Sequence, residues 1–374
     1  MATFPGVGSW IERRARIAPD RVALVHGTTR RSYAALAERV GGLSSGLRQL
    51  GVGRGDRVGW LGENHPAFLE MLFAVARLGA VFAPVNHRLR ADAAARVLDD
   101  YAVKLIIVGD AAAAIELPAG VHAVHVRGGM PGGSFEDLIA SAQMSGTDES
   151  VDPDDVCVMP HTSGTTGSPK GVMLTHANLT WNAINMLAVA DLRSDDVTLA
   201  LAPLFRTGGI GVNVLPVLFK GGTVVVPVAN TPDDVLDAIS HERVTVGFGN
   251  PDLLDALTLR PGWTTADLSS LRFVITGGAP VPERLIRTYG ERGVTFLQGY
   301  GLSEASPVVS VLDAASATRK ADSAGRPLLF VDVRTARQDG SECAPGETGE
   351  LFVKGPTVMA GYWNRPDATR ATID

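Results

Sequence analysis

Cysteine is nearly absent from this 374-residue sequence: Cys157 and Cys343 stand far apart. Two isolated thiols form neither a disulfide framework nor a paired zinc spacing, and the expected setting is a reducing cytoplasm. Lysine is scarce as well. It occurs only at positions 104, 170, 220, 320 and 354, so most of the 34 basic residues are arginine. Each lysine in a loop therefore draws notice. No apolar run reaches the roughly 20 residues of a membrane helix. The first ten residues lack the basic stretch and apolar run of a secretory signal. Positive charge is not in excess either: 40 acidic residues leave a net charge of -6. That excludes a general attraction to nucleic acid or anionic lipid. The remainder is ordinary for a globular chain, with 45% hydrophobic and 20% charged residues. The length supports more than one packed layer system.

Short apolar runs alternate with helical periodicity along most of the chain. Tyr33, Leu36, Val40, Leu43, Leu47 and Leu50 recur at helical spacing, with Ser32 placed to cap the start and Gly51 the end. Strands are predicted at 57–61, 80–85, 105–108, 156–159, 197–202, 223–228, 244–248, 272–275 and 294–298. Helices are predicted at 66–78, 92–101, 177–190, 209–219, 232–241 and 282–291. This order predicts an α/β fold with two doubly wound, mostly parallel sheets covered by helices. The polar and glycine-rich stretch at 111–155 reads as the junction between the two sheet units. After residue 321 the pattern changes to two strands, 329–336 and 349–354, around the turn signal Asp339-Gly340. The expected domains are a core over 1–320 and a small antiparallel β subdomain over 321–374.

One segment carries the chemistry. Thr162, Ser163, Gly164, Thr165, Thr166, Gly167, Ser168, Pro169, Lys170 and Gly171 follow a predicted strand and precede a helix that Thr175 can cap. Backbone N–H groups, hydroxyls, glycines and one ammonium are the donors a triphosphate needs. The bland alternative is a flexible polar surface loop. The order of residues is too specific for that, and it is not a Walker A loop.

This string resembles the phosphate loop of the adenylate-forming superfamily, which includes acyl- and aryl-CoA synthetases, peptide-synthetase adenylation domains and beetle luciferase. Gly277, Gly278, Ala279 and Pro280 resemble its adenine-side segment. Gln298, Gly299, Tyr300, Gly301, Leu302, Ser303 and Glu304 resemble its Tyr-Gly-x-Thr-Glu motif. Gly346-Glu347-Thr348-Gly349-Glu350-Leu351 and Gly361-Tyr362-Trp363-Asn364-Arg365-Pro366 resemble two later signatures, in the family's order. The resemblance implies ATP and magnesium as reactant and cofactor, with Glu304 as the metal ligand and Tyr300 stacked on adenine. The candidate catalytic residues are Lys170 and Glu304, which the resemblance supplies, and Arg206, which departs from it. The resemblance implies adenylation of a fatty or aromatic carboxylic acid with loss of pyrophosphate. Transfer to a thiol follows, either coenzyme A or the pantetheine of a carrier protein.

Several positions depart from the family pattern. Arg206 stands where Pro-Leu-Phe-His is common, and can either fork onto an anion or turn away. His161 precedes the phosphate loop, where an aromatic residue is usual. Asn250 can bond a polar substrate or serve the turn before Pro251. Phe205, Arg206, Gly209, Asn213, Phe248, Asn250 and Gly301 are expected to line the acid pocket. The family's C-terminal lid and its catalytic lysine are not matched, which reads as a shortened chain. Two alternatives stay open. One is a diazotising enzyme that adenylates nitrite for an aromatic amine in secondary metabolism. The other is a non-catalytic nucleotide-binding module. The oligomeric state is not read from the sequence.

Overall fold

A computed structural model describes residues 4–109, 117, 119–127, 133–140, 149–162, 169–317 and 319–373. In chain order its strands are β1 (Val22–His26), β2 (Thr29–Ser32), β3 (Arg57–Leu61), β4 (Val81–Val85), β5 (Leu105–Val108), β6 (His122–His125), β7 (Val156–Val158), β8 (His161–Thr162), β9 (Lys170–Thr175) and β10 (Val197–Leu199). They continue as β11 (Thr223–Val225), β12 (Val246–Gly249), β13 (Phe273–Gly277), β14 (Thr295–Gly301), β15 (Val308–Leu312), β16 (Arg326–Pro327), β17 (Asp332–Ala336), β18 (Glu350–Lys354) and β19 (Gly361–Tyr362). One sheet runs β16-β15-β14-β13-β12-β10-β11-β1-β2, and a second runs β19-β9-β7-β4-β3-β5-β6 with β8 added on β9. β17 and β18 form a separate antiparallel ribbon. The inner strands of both large sheets pair in parallel, and antiparallel pairs lie toward the edges. This is the predicted fold class.

Alternation along the strands builds the layers. In β13, Phe273 and Ile275 face one core and Val274 faces another. In β5, Leu105 and Ile107 join the same inner core as Phe273, while Ile106 and Val108 turn to a third cluster. The inner core is therefore shared by both sheets. Helices Tyr33–Gln49, Pro66–Arg77 and His176–Ala190 fill it. Helix Pro66–Arg77 is buried from Pro66 to Ala76, which explains why it is apolar on all sides. Its buried charge, Glu70, is gripped by Arg39 at 2.7 Å and Arg31 at 3.0 Å. Pairing of this kind is what a buried carboxylate requires.

The sheets do not follow the linear division expected from the sequence. β7 and β9 lie beyond the 111–155 junction, yet they extend the sheet of β3 and β4. The hairpin β1-β2 belongs to the other sheet, and β16 and β19 carry the segment after 321 into both. The predicted helix at 209–219 is three pieces: Thr207–Gly209, a wide π turn Ile210–Val214, and Leu215–Lys220. Pro216 offers no N–H to the preceding turn, and the Asn182 amide takes the Gly211 carbonyl. Lys170 opens a strand rather than ending a loop. Thr175 caps helix His176–Ala190 as expected, in a reciprocal box with Asn178. Among the described residues no helix is long and apolar enough to cross a membrane.

His176 anchors the start of the chain, since its Nδ1 accepts the Val7 N–H at 3.1 Å. Burial pushes its pKa down from 6.5 to about 4, so it is neutral in the fold. The unfolded chain takes up the proton first, and stability falls as pH drops from about 6.5 toward 4. His176→Asn keeps an acceptor but cannot titrate. Its loss of stability with acid should be shallower than wild type by about 1.4 kcal/mol per pH unit in that window. Urea melts at pH 7, 6 and 5 measure this; parallel slopes would show that His176 does not carry the linkage.

Candidate functional site

The carboxyl ends of the central strands of both sheets open on one seam. Asn64, just past β3, donates to the carbonyls of Ala200 and Ala202 past β10, and accepts from the Leu204 N–H. Crevices at the carboxyl ends of parallel strands are where open α/β sheets hold ligands.

On one side of the seam, β13 ends at Gly277, opposite Gly299, and β14 runs on to Gly301. A Cβ at Gly277 would lie 2.6 Å from the Gly299 carbonyl oxygen, so the approach requires glycine. Gly278, Ala279 and Pro280 then run exposed. Tyr300 stands beside them at 39% exposure, its ring free to stack on a flat ligand. Behind it, a Cβ at Gly301 would meet the Pro307 carbonyl at 1.9 Å. Gln298 is buried and donates to the Ser323 carbonyl. Its Oε1 is buried without a partner among the described residues.

Ser303 and Glu304 form the next turn. The Thr207 hydroxyl donates to the Ser303 Oγ at 2.9 Å, which ties the Arg206 loop to this turn. The Tyr362 hydroxyl donates to Glu304 Oε1 at 2.6 Å. The Lys170 ammonium lies 4.9 Å from the centre of the Tyr362 ring. Thr162 pairs with Lys170 in the β8-β9 ladder. Ser163, Gly164, Thr165, Thr166, Gly167 and Ser168 lie outside the described residues. Among the described residues no cluster of three or more His, Cys, Asp or Glu is arranged to hold a metal alone. A single carboxylate is chemically suited to magnesium, which keeps few protein ligands and takes phosphate oxygens. Glu304 Oε2 has no partner among the described residues and is the oxygen available for this.

The other wall is aromatic. Phe205 is buried, with the His87 ring edge-on at 5.5 Å and the His161 ring parallel to it at 6.5 Å. Burial pushes His161 down to about 4, and the Arg206 charge adds to the effect. His87 is also lowered, first by burial and then by Arg88. Both imidazoles are therefore neutral, and neither Nδ1 has a partner among the described residues. Arg206 is exposed, with its guanidinium 5.8 Å from the Phe205 ring and no carboxylate paired to it among the described residues. Gly208 brings the Phe248 ring in, and Gly209 packs on the Pro203 carbonyl. Asn213 is held elsewhere: it is 3% exposed and donates to Thr198 Oγ1 and the Leu199 carbonyl. Asn250 caps helix Pro251–Thr258 by accepting the Leu253 N–H. Sequence reasoning missed His87 and Thr207 and gave Tyr362 no role in the site. For Tyr362 the signal was present in the Gly361–Pro366 signature; for His87 there was none.

The family model described as "AMP-binding enzyme" matches residues 11–363. The chain is 47% identical to a feruloyl-CoA synthase of an Amycolatopsis species, over 98% of this chain and 74% of that protein. It is 38% identical to an indoleacetate–CoA ligase of Aromatoleum aromaticum, over 98% of this chain and 73% of that protein. Its fold matches the crystal structure of the N-terminal domain of FACL13 from Mycobacterium tuberculosis with a TM-score of 0.92. That match has 30% identity and covers 99% of this chain and 94% of the other. These relatives lend the nitrite-dependent diazotising alternative no support.

The Asn213 amide serves the fold. Asn213→Leu leaves the Thr198 hydroxyl and Leu199 carbonyl without that donor, and should cost about 1–3 kcal/mol of unfolding free energy. Chemical denaturation checks this; an unchanged midpoint would show that the two bonds contribute nothing.

Proposed function

The chain belongs to the AMP-binding enzyme family, the adenylate-forming superfamily, and from that premise we propose that it activates an aromatic carboxylic acid with ATP and passes the acyl group to coenzyme A. The observation that carries the reading is the convergence at one seam. A lysine from one sheet and a glutamate beside the other meet at Tyr362, and the Thr207–Ser303 hydrogen bond ties that glutamate's turn to the loop of Phe205, which packs against two neutral histidines.

The reaction needs two things from the protein. First, the acid carboxylate must reach the α-phosphorus in line as the bond to the pyrophosphate oxygen breaks. Second, the charge that builds on phosphoryl oxygens must be met by fixed donors. Lys170 supplies a cation at the exit of the phosphate loop, and the loop from Thr162 to Gly167 supplies N–H groups and hydroxyls. Magnesium, when bound at Glu304, neutralises phosphate charge. Tyr300 takes the adenine face, with Gly277 to Pro280 as the ledge beneath. The product is a mixed anhydride. A thiolate then attacks its carbonyl carbon, the bond to the phosphate oxygen breaks, and AMP leaves with the electron pair.

The acid side fits a planar substrate. Phe205, Phe248, His87 and His161 offer flat faces, and the two neutral histidines add polar edges for ring substituents. The relatives named for feruloyl and indoleacetyl thioesters handle acids of that shape. Arg206 is free to pair with the acid carboxylate or the α-phosphate.

Acid-dependent ATP–pyrophosphate exchange tests the assignment. Arylpropenoic and arylacetic acids should support exchange, with hexadecanoate at least about tenfold lower in kcat/KM, the discrimination a shaped apolar pocket gives. Exchange with nitrite alone, or with no acid at all, would overturn it. Lys170→Ala and Glu304→Ala should each lower exchange by about 100-fold or more, as lost transition-state donors do. Arg206→His should raise KM for the acid more than it lowers kcat; equal constants for every acid would show that Arg206 does not select the anion.

A further inference from the structure

The segment from Gly355 to Arg365 is a strap fastened to both halves of the seam. On one side the Ala360 N–H donates to the Met173 carbonyl and the Trp363 N–H to the Gly171 carbonyl, each within the ladder to β9. The Trp363 indole N–H donates to the Asp100 carbonyl, and Arg365 pairs with the Asp100 carboxylate. On the other side the Met359 N–H donates to the Glu304 carbonyl at 2.9 Å, and Ser306 Oγ donates to the Thr357 carbonyl at 2.7 Å. The Asn178 amide holds the Pro356 and Val358 carbonyls. Tyr362 sits in the middle of this strap, 8% exposed. It touches both charged groups of the site at once, the Glu304 carboxylate through its hydroxyl and the Lys170 ammonium through its ring.

We propose that Tyr362 is a positioning residue for the cation–nucleotide site, its hydroxyl holding the Glu304 carboxylate ready for magnesium and its ring carrying Lys170. The proposal rests on the reading of Glu304 as the cation ligand. A free glutamate side chain loses up to about 2 kcal/mol of rotamer entropy when it is fixed. With Oε1 already bonded to Tyr362, that cost falls on folding rather than on cation binding, and Oε2 is left in one place. The ring acts separately. An ammonium over an aromatic face is held electrostatically and points along a fixed direction. Hydroxyl and ring therefore predict two different defects, and neither is the defect of a merely structural tyrosine, which would lower the melting temperature alone.

Calorimetric titration of ATP binding to the whole chain, across a magnesium series and in EDTA, separates them. Tyr362→Phe removes the hydroxyl and keeps the ring. It should raise the magnesium concentration for half-maximal ATP affinity about tenfold, the worth of one charge-assisted hydrogen bond, with ATP affinity in EDTA unchanged. Tyr362→Leu removes both and should also weaken ATP in EDTA. Glu304→Asp draws the carboxylate back from Tyr362, and combining it with Tyr362→Phe should add less than the sum of the two single effects. That cycle keeps the test alive should Tyr362→Leu fail to fold. A Tyr362→Phe variant that titrates like wild type, while Glu304→Gln loses the magnesium response, overturns the positioning role. A Glu304→Gln variant that itself titrates like wild type overturns the cation-ligand reading instead.

Discussion

Both large sheets bury one face in the same inner core, and that shared burial fixes everything at the seam. Val224 and Phe273 from one sheet, Val58, Phe82 and Leu105 from the other, and Phe68, Leu72 and Leu179 from the helices belong to one buried cluster. The opposite faces carry separate helical layers. A packed interior does not deform smoothly, so two sheets that share one cannot slide independently. Their carboxyl ends are thereby held face to face. Asn64 then stitches the loop past β3 to the loop past β10 with three hydrogen bonds. The site is a consequence of this arrangement, since its groups come from opposite sheets.

Charge is used sparingly there. Around the fold, arginine pairs with acid at the surface and, among the described residues, with the buried carboxylates Glu70 and Asp196. At the seam, Lys170, Arg206 and Glu304 are not paired with one another, and the two histidines are neutral. Unpaired charge beside neutral rings leaves the field of the site available to a ligand. In the proposed reaction the ligand brings the missing partners: phosphate oxygens for the cations and a metal for the carboxylate. Neutral His87 and His161 also avoid repelling Arg206, and burial beside Phe205 keeps them so.

Much of this was legible in the residues, and the limits have physical causes. Helix Tyr33–Gln49 and helix Pro232–His241 were visible because period and capping agree over whole turns. β3 and β5 were visible as short apolar runs. The hairpin β1-β2 was not, because β2 is polar, buries none of its residues fully and gains its place only by pairing. The break at Ile210–Val214 was hidden for a similar reason. Apolar periodicity continues through it, while the geometry is set by Pro216 and by an amide from Asn182 in another helix.

The sequence alone determined the local chemistry: the hydroxyl- and glycine-rich segment leading to Lys170, the Tyr300–Glu304 motif, the strand and helix alternation, and the family those motifs indicate. Such features depend on neighbours within a few residues, so order along the chain suffices to read them. Tertiary structure decided which of these groups act together. It alone brought Tyr362 between Lys170 and Glu304, set His87 and His161 against Phe205, and turned Asn213 toward β10 and Asn250 into a helix cap. Each depends on contacts between segments far apart in sequence, and such contacts exist only once the two sheets have closed on their common core.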